Sequence, residues 1–481
     1  MSPHIPDRRA LPLLSLVAVI AAYASSFAGG FQFDDFNVIV REAGAQSPAA
    51  WWASQPGIRP LLKLSYALNR ASPFGLAGFH AVNLLIHLGN TWLVAALLQR
   101  LVPAARDHAG DAAAPALLGA LVFALHPVQT EAVTYLSGRS TSLAAFFALA
   151  SIVLWLQGQD EPERRWLRLA SLLSFVAALA CKEYVAVVPL ALLLCAATRA
   201  PAGAAWLGAA LRGSASHWAV VLAGLFGAAM LPRYRMLLET SLATRDLVAN
   251  LATQAQGVTY LAGQLVRPDR LNADPALPAA AGIDAAVLVH GLALVALIVT
   301  GVWAMRRQRT LGFALLWFFL WLAPTNSLLP RLDVVNDRQL YVALVGPAFG
   351  FARLVAQCRP PAWRAALVAA LALGLGAATF ARNRVYADEL VFWADVARKS
   401  PHNARAFANL GHALALVCRT ADARQALTVA LQLDPGADRA AVNLQLLAGE
   451  DDSMPDPGGA CAPPQAAISI RPEAVLEMGM W

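Results

Sequence analysis

Two adjacent carboxylates, Asp34 and Asp35, follow directly on an apolar run at residues 11–27. A run of that length reaches across a bilayer, and charge at that depth is costly unless it is paired or reactive. Three further polar stretches carry comparable chemistry. They are His126-Pro127-Val128-Gln129-Thr130-Glu131 with Gly138-Arg139, then Lys182-Glu183, then Asn336-Asp337-Arg338-Gln339-Leu340-Tyr341. A carboxylate can take a proton from an attacking hydroxyl, and nearby cations can hold a departing phosphate. Asp34 or Asp35 suits the first task. Arg139, Lys182 and Arg338 suit the second, Arg through its planar fork and Lys as a point charge. Each stretch also has a plain structural reading. The Asp pair can cap the next helix, Lys182 can snorkel while Glu183 offsets a helix N-terminus, and Arg338 can pair with Asp333 or Asp337. For His126 alone, a hydrogen-bonded structural histidine is the better reading. What favours chemistry is that topology puts all four stretches on one side.

The elements that hold them are apolar. Of 481 residues, 58% are hydrophobic and only 14% charged, which marks a polytopic membrane protein rather than a soluble domain. The net charge of +7 is then explained by Arg in short loops and not by nucleic acid. Apolar runs of spanning length or close to it fall at residues 11–27, 79–101, 114–125, 141–156, 167–180, 184–197 and 217–231, then at 285–305, 311–329, 341–356 and 365–380. A twelfth run, 251–266, is broken by Thr253, Gln254, Gln256 and Gln264 and reads as an interfacial or re-entrant helix. With about eleven crossings, Arg8-Arg9, Arg100/Arg106, Arg164-Arg165-Arg168, Arg199/Arg212, Arg306-Arg307-Arg309 and Arg353/Arg359/Arg364 share one face. The positive-inside tendency makes that face cytoplasmic. The N-terminus is then inside, and the polar stretches lie outside with the first loop, 31–78, which carries Trp51-Trp52 and Arg59-Pro60.

Beyond residue 387 the pattern changes to soluble helices. Ser400-Pro401 and Asp434-Pro435 lie 34 residues apart, as do Asn409-Leu410 and Asn443-Leu444, and Gly411 and Ala415 supply small residues. That period reads as about one and a half tetratricopeptide (TPR) repeats over 388–450. Residues 451–481, rich in Gly, Pro and acid, read as a disordered tail. The five cysteines (181, 195, 358, 418, 461) show no CxxC, although Cys418 and Cys461 share a side and can pair.

An enzyme facing outward has no nucleotide pool to draw on. A glycosyl donor there must be lipid-borne, a sugar on a polyprenyl phosphate or diphosphate. The acidic pair, Arg59-Pro60-Leu61-Leu62, Phe79-His80-Ala81-Val82-Asn83-Leu84-Leu85-Ile86-His87, the stretch from His126 to Arg139, Lys182-Glu183, Asp337-Arg338-Gln339-Leu340-Tyr341 and the TPR tail together resemble the transmembrane-and-TPR O-mannosyltransferases and their bacterial relatives. These belong to the GT-C superfamily of lipid-phosphate-sugar glycosyltransferases. The resemblance covers roughly residues 31–447. It implies an all-α GT-C membrane core over 1–387, inverting transfer from a polyprenyl-phosphate sugar, and Asp34/Asp35 as the catalytic element. Arg59, His126, Glu131, Arg139, Lys182, Glu183, Arg338 and Tyr341 would bind substrate. Asp337 stands where the family carries Glu, and the TPR array is short. The short array and the Arg- and Ala-rich composition fit a bacterial member, whose lipid would be undecaprenyl phosphate and whose site would face the periplasm from the inner membrane.

Two other readings share these residues. One is a non-enzymatic membrane scaffold that recruits a partner through its TPR helices; deleting 388–481 removes all function from a scaffold but not from an enzyme. The other is a flippase or polymerase for lipid-linked glycan. That needs a polar path through the bilayer, and the spans are read here as lacking polar residues midway. An Asp pair can hold Mg²⁺ or Mn²⁺ through oxygens, but no full ligand set is visible and no metal is expected. Membrane lipid and a protein or glycan acceptor complete the expected partners.

Overall fold

The computed structural model describes residues 10–55, 57–101, 113–201, 205–358 and 360–449. Arg8-Arg9, Arg106, Arg359, Cys461 and the 451–481 tail lie outside them. All regular structure among the described residues is helical. Numbering helices of eight residues or more, unit 1 contains α1 (Ala10–Tyr23), α2 (Pro60–Ala71), α3 (Gly75–Leu101), α4 (Ala113–Leu125), α5 (Arg139–Asp160), α6 (Arg165–Leu179), α7 (Val188–Arg199) and α8 (Trp206–Gly213). It continues with α9 (Ala215–Met230), α10 (Pro232–Thr244), α11 (Leu247–Gln264), α12 (Ala285–Arg307), α13 (Arg309–Leu322), α14 (Val345–Ala356) and α15 (Pro361–Asn383). Unit 2 holds α16 (Glu389–Lys399), α17 (Ala404–Leu416), α18 (Thr420–Leu433) and α19 (Asp438–Gly449) together with the segment Asn272–Leu277.

Unit 1 is the membrane bundle of a multi-pass protein. Among the described residues, four helices are long and apolar enough to cross a bilayer, and up to seven spans result if each bent pair counts as one. The expected eleven are not reached on length and composition. The reason is local: α6 has 15 residues and α7 has 12, short of the ~20 needed, and three apolar runs are broken by bends. Ala114–Leu125 meets Pro127–Val133 at 53°, Trp206–Gly213 meets Ala215–Met230 at 55°, and Asp337–Ala343 meets Val345–Ala356 at 57°. At the first break, Pro127 denies the helix its N–H and disfavours a helical His126. His126 is extended instead, and its ring accepts from the Val128 N–H. The first and third bends carry Glu131 and Arg338, so what breaks the spans also positions the site.

The expectation of no polar residues midway along the spans is corrected. His80, Asn83, His87 and Asn90 form a buried stripe along α3 at the spacing of one helix face. Each ties α3 to a neighbour: His80 to the Gly29 carbonyl (3.0 Å), Asn83 to that of Val133 (3.0 Å), and Asn90 to that of Ser142 (2.8 Å). His87 donates from Nε2 to the Ala124 carbonyl and accepts at Nδ1 from the Tyr341 hydroxyl (2.8 Å). In an apolar medium such bonds hold helices together. The stripe is glue, not a conduit.

The first loop is tied down at several points. Ile39, Ala45, Leu62, Tyr66, Phe79 and Leu136 form one buried apolar cluster. Trp51 donates its indole N–H to the Pro60 carbonyl (2.8 Å), and Lys63 pairs with Glu42 (2.9 Å). Trp52 is 75% exposed. The segment expected to be interfacial or re-entrant is one continuous helix, α11, with Asp246 capping it and Asn250, Thr253, Gln254 and Gln264 buried.

In unit 2, consecutive helices α16 to α19 pack on one another around Phe392, Trp393, Phe407, Leu410, Leu414 and Leu427. The starts of α17 and α19 lie 34 residues apart, the period seen in the sequence. Asp274 of the short segment accepts from Asn403 (3.0 Å) and Arg405 (2.9 Å). Helices α17 and α18 touch at Gly411, where an added Cβ would lie 2.6 Å from Leu427 Cγ and 3.1 Å from the Ala423 carbonyl. Gly411→Val is therefore expected to cost about 1–3 kcal/mol by overpacking. It should speed limited proteolysis within 388–449; an unchanged digestion rate would contradict the close approach.

Candidate active site

The site grows out of the turn that follows α1. Phe33 takes a left-handed backbone (φ 40°), uncommon for a bulky residue. The turn sends the two neighbouring aspartates in different directions. Asp35 is fully buried and accepts from the Gln32 N–H (3.0 Å) and the Ser137 N–H (2.7 Å). Asp34 keeps 38% of its side chain exposed, and its backbone N–H donates to the Tyr135 hydroxyl (2.8 Å). Only Asp34 is accessible to a substrate; Asp35 stitches the turn to residue 137.

Burial, against its two backbone donors and helped by the charge of Asp34, pushes the Asp35 carboxyl up to about 7. Its folded value thus lies above the unfolded value of about 3.9. The stability it contributes is fully present below pH 4 and is lost as the pH rises through 7. That loss is on the order of 4 kcal/mol. Thermal melts from pH 4 to 8 should show it as a wild-type slope that is absent in Asp35→Asn. Parallel curves for the two proteins would exclude the assignment.

Arg338 faces Asp34, with Nη2 3.9 Å from the carboxylate. Glu131 holds Arg338 from behind: its carboxylate accepts the Arg338 backbone N–H (2.8 Å) and lies 3.4 Å from Nε. Glu131 is 4% exposed and Arg338 15%, so the pair is well shielded from water. Glu131 sits where it does because the 127–139 segment folds back tightly. A Cβ at position 138 would lie 2.1 Å from the Glu131 carbonyl oxygen, so only Gly138 fits.

Lys182 donates to Thr141 Oγ1 (2.8 Å) and Ser140 Oγ (3.3 Å). Burial, with the like charges of Arg338, Arg59 and Arg331, holds its ammonium well below the usual lysine range. An arriving anion would raise it again. Arg59, itself left-handed (φ 52°), grips Glu183 with Nε (3.1 Å) and Nη2 (2.7 Å), and Tyr234 donates to the same carboxylate (3.2 Å). Glu183 would be raised by burial, but Arg59 wins and its value is lowered.

The structure thus brings together Asp34, Glu131, Arg338, Lys182, Arg59 and Glu183. Three other candidates are engaged elsewhere. Arg139 is fully buried and gives its donors to Asn83 Oδ1 (2.6 Å), Asn69 Oδ1 (2.7 Å) and the carbonyls of Phe79 (3.0 Å) and Ser65 (3.2 Å). It also stacks over Tyr66, 4.8 Å from the ring centre. His126 spends its second nitrogen on the Leu265 carbonyl (3.1 Å). Tyr341 points its hydroxyl to His87 and Asn90, inside the bundle. Sequence reasoning missed Tyr135, which sits within the stretch already singled out. It also missed Arg331, which burial beside Arg338 pulls down to about 10.

Whether the aspartate pair fits a divalent cation is decided by Asp35. Its two carboxylate oxygens serve backbone amides, so the pair offers a cation only Asp34, with Arg338 opposite. No group of three or more His, Cys, Asp or Glu side chains converges among the described residues. These residues do not fit Mg²⁺ or Mn²⁺.

Fold and site together define a multi-pass membrane protein with a carboxylate–guanidinium cluster where the first loop meets the bundle. No family model matches the chain. The chain is similar to human protein O-mannosyl-transferase TMTC4, 32% identical over 213 residues, 38% of this chain and 28% of the relative. It is similar to Drosophila melanogaster protein O-mannosyl-transferase Tmtc2, 34% identical over 196 residues, 36% of this chain and 20% of the relative. Caenorhabditis elegans protein O-mannosyl-transferase F38B6.6 is 29% identical over 169 residues, 32% of this chain and 24% of the relative. The matched stretch is about a quarter of each relative's own length.

Proposed function

We propose that this protein is a GT-C-type membrane glycosyltransferase that moves one sugar from a polyprenyl-phosphate donor to a hydroxyl of a protein or glycan. The observation that carries the reading is the accessible Asp34 carboxylate, 3.9 Å from an Arg338 that Glu131 holds in place. The relatives named protein O-mannosyl-transferases support a protein acceptor. Asp34 takes the acceptor's hydroxyl proton as the oxygen attacks the anomeric carbon. The bond from that carbon to the phosphate oxygen breaks, and its electron pair leaves with the lipid phosphate. Arg338 and Lys182 stabilise that departing charge from the positions the protein has already fixed. Attack opposite the leaving group inverts the anomeric centre. Asp34 then returns its proton to water.

In this reading the site faces the periplasm of a bacterial inner membrane, and the helices of unit 2 form a short TPR element that takes up a protein partner. The test is reconstitution of the full chain in proteoliposomes with a polyprenyl-phosphate hexose labelled in the sugar. Label should pass to acceptor protein or glycan as an equal amount of lipid phosphate is freed. Intact donor after prolonged incubation, across the common hexoses and acceptors, would overturn the proposal.

A further inference from the structure

A second site lies at the other end of α5. A cavity of about 350 Å³ opens between the end of α5, the start of α6, the end of α8 and the start of α9. Its wall residues Trp155 and Gln159 are 16 and 20 residues beyond Arg139, which at 1.5 Å per residue places them ~24–30 Å along the helix. That is about the thickness of the hydrocarbon core. The cavity is therefore separate from the Asp34 site and lies near the opposite membrane surface.

Its chemistry is that of an anion site. Arg168 and Arg212 line it, and neither makes an ion pair or hydrogen bond to another described residue. No Asp or Glu lines it among the described residues; of the acids in the neighbouring 160–163 turn, Asp160 pairs with Arg199 and Glu161 with Arg164. Ser216, in the first turn of the 16-residue α9, adds the positive end of a helix.

A separate observation also points to a ligand. His217 lines the same cavity and is 2% exposed. Ser171 Oγ lies 2.8 Å from the Ser151 carbonyl and 3.0 Å from His217 Nε2, and Ser151 Oγ lies 3.4 Å from the same nitrogen. His217 Nδ1 has no partner among the described residues. A hydroxyl, which both donates and accepts, can serve such a buried ring nitrogen in either tautomer. Two guanidinium forks beside an unpartnered ring nitrogen fit a ligand carrying both phosphate oxygens and a hydroxyl. The helices flanking the cavity also turn apolar side chains outward: Trp166, Leu169 and Leu173 on α6, Leu207 and Leu211 on α8. These suit acyl chains and an interfacial ring.

We propose that this cavity binds the headgroup of a hydroxyl-bearing anionic phospholipid, a phosphoglycerol lipid, with the phosphate between Arg168 and Arg212 and a headgroup hydroxyl bonded to His217 Nδ1. Basic pockets between membrane helices are suited to such headgroups. The full chain in detergent is titrated with phosphatidylglycerol, phosphatidylcholine, glycerol 3-phosphate and inorganic phosphate, followed by native mass spectrometry and thermal shift. Saturable phosphatidylglycerol binding with a raised melting midpoint is expected, at least tenfold tighter than phosphatidylcholine. The double variant Arg168→Gln/Arg212→Gln should lose that preference while its lipid-free midpoint stays at the wild-type value. Ser216→Glu, which sets a negative charge at the rim, should lose it independently. Equal binding of both lipids, or an unchanged preference in both variants, overturns the site. Tight binding of glycerol 3-phosphate or inorganic phosphate without the lipid overturns the lipid assignment in favour of a soluble phosphate.

Discussion

Asp34→Asn is expected to abolish the proposed sugar transfer while leaving the fold intact. The substitution keeps the shape of the side chain and removes its capacity to accept a proton, for which a loss of about 10²- to 10⁴-fold in kcat is expected. The fold is spared because Asp34 is fastened through its backbone N–H to Tyr135 and its side chain is partly in solvent. Initial rates in proteoliposomes, with thermal melts of the same preparation, check both halves of the expectation. Asp35→Asn is the contrast. Its amide meets one of the two backbone donors with an N–H instead of an oxygen, so it should lower the melting midpoint and affect rate only as the turn loosens. Full turnover in Asp34→Asn would remove the proposed base, whatever Asp35 does.

Arg139→Met costs more stability than any other substitution considered. Four carbonyl or amide oxygens, those of Ser65, Asn69, Phe79 and Asn83, lose their donor at once inside the bundle. Removing one member of such a buried charged network costs about 3–5 kcal/mol. Arg139→Lys should rescue little, because a point charge cannot serve four acceptors spread around a planar fork. The readouts are detergent-solubilised yield and melting midpoint. A variant that folds like wild type and loses only its affinity for the lipid donor would return Arg139 to the substrate-binding role its sequence context suggests.

These two arginines show how far the sequence could be read. Arg338 and Arg139 sit in equally polar stretches near span ends, and residue type gives no reason to separate them. What separates them is partners: Asn69 and Asn83, on two different helices, converge on Arg139. Asparagines in apolar helices signal buried bonding, and the spacing of His80, Asn83, His87 and Asn90 was there to be seen. The apolar runs did locate α3, α5, α12 and α15. They could not give the bends after Leu125, Gly213 and Ala343, which depend on caps and packing rather than on hydropathy. Nor could they give the left-handed Phe33 that turns Asp34 outward and Asp35 inward.

Position 138 limits what can be bred from this scaffold. Because even a methyl group there would collide with main chain, libraries that randomise 127–139 will consist largely of unfolded clones. If the proposed transfer holds, altered acceptor choice is better sought at Trp52 and Phe74, which stand 75% and 72% exposed and can be exchanged at little cost to packing.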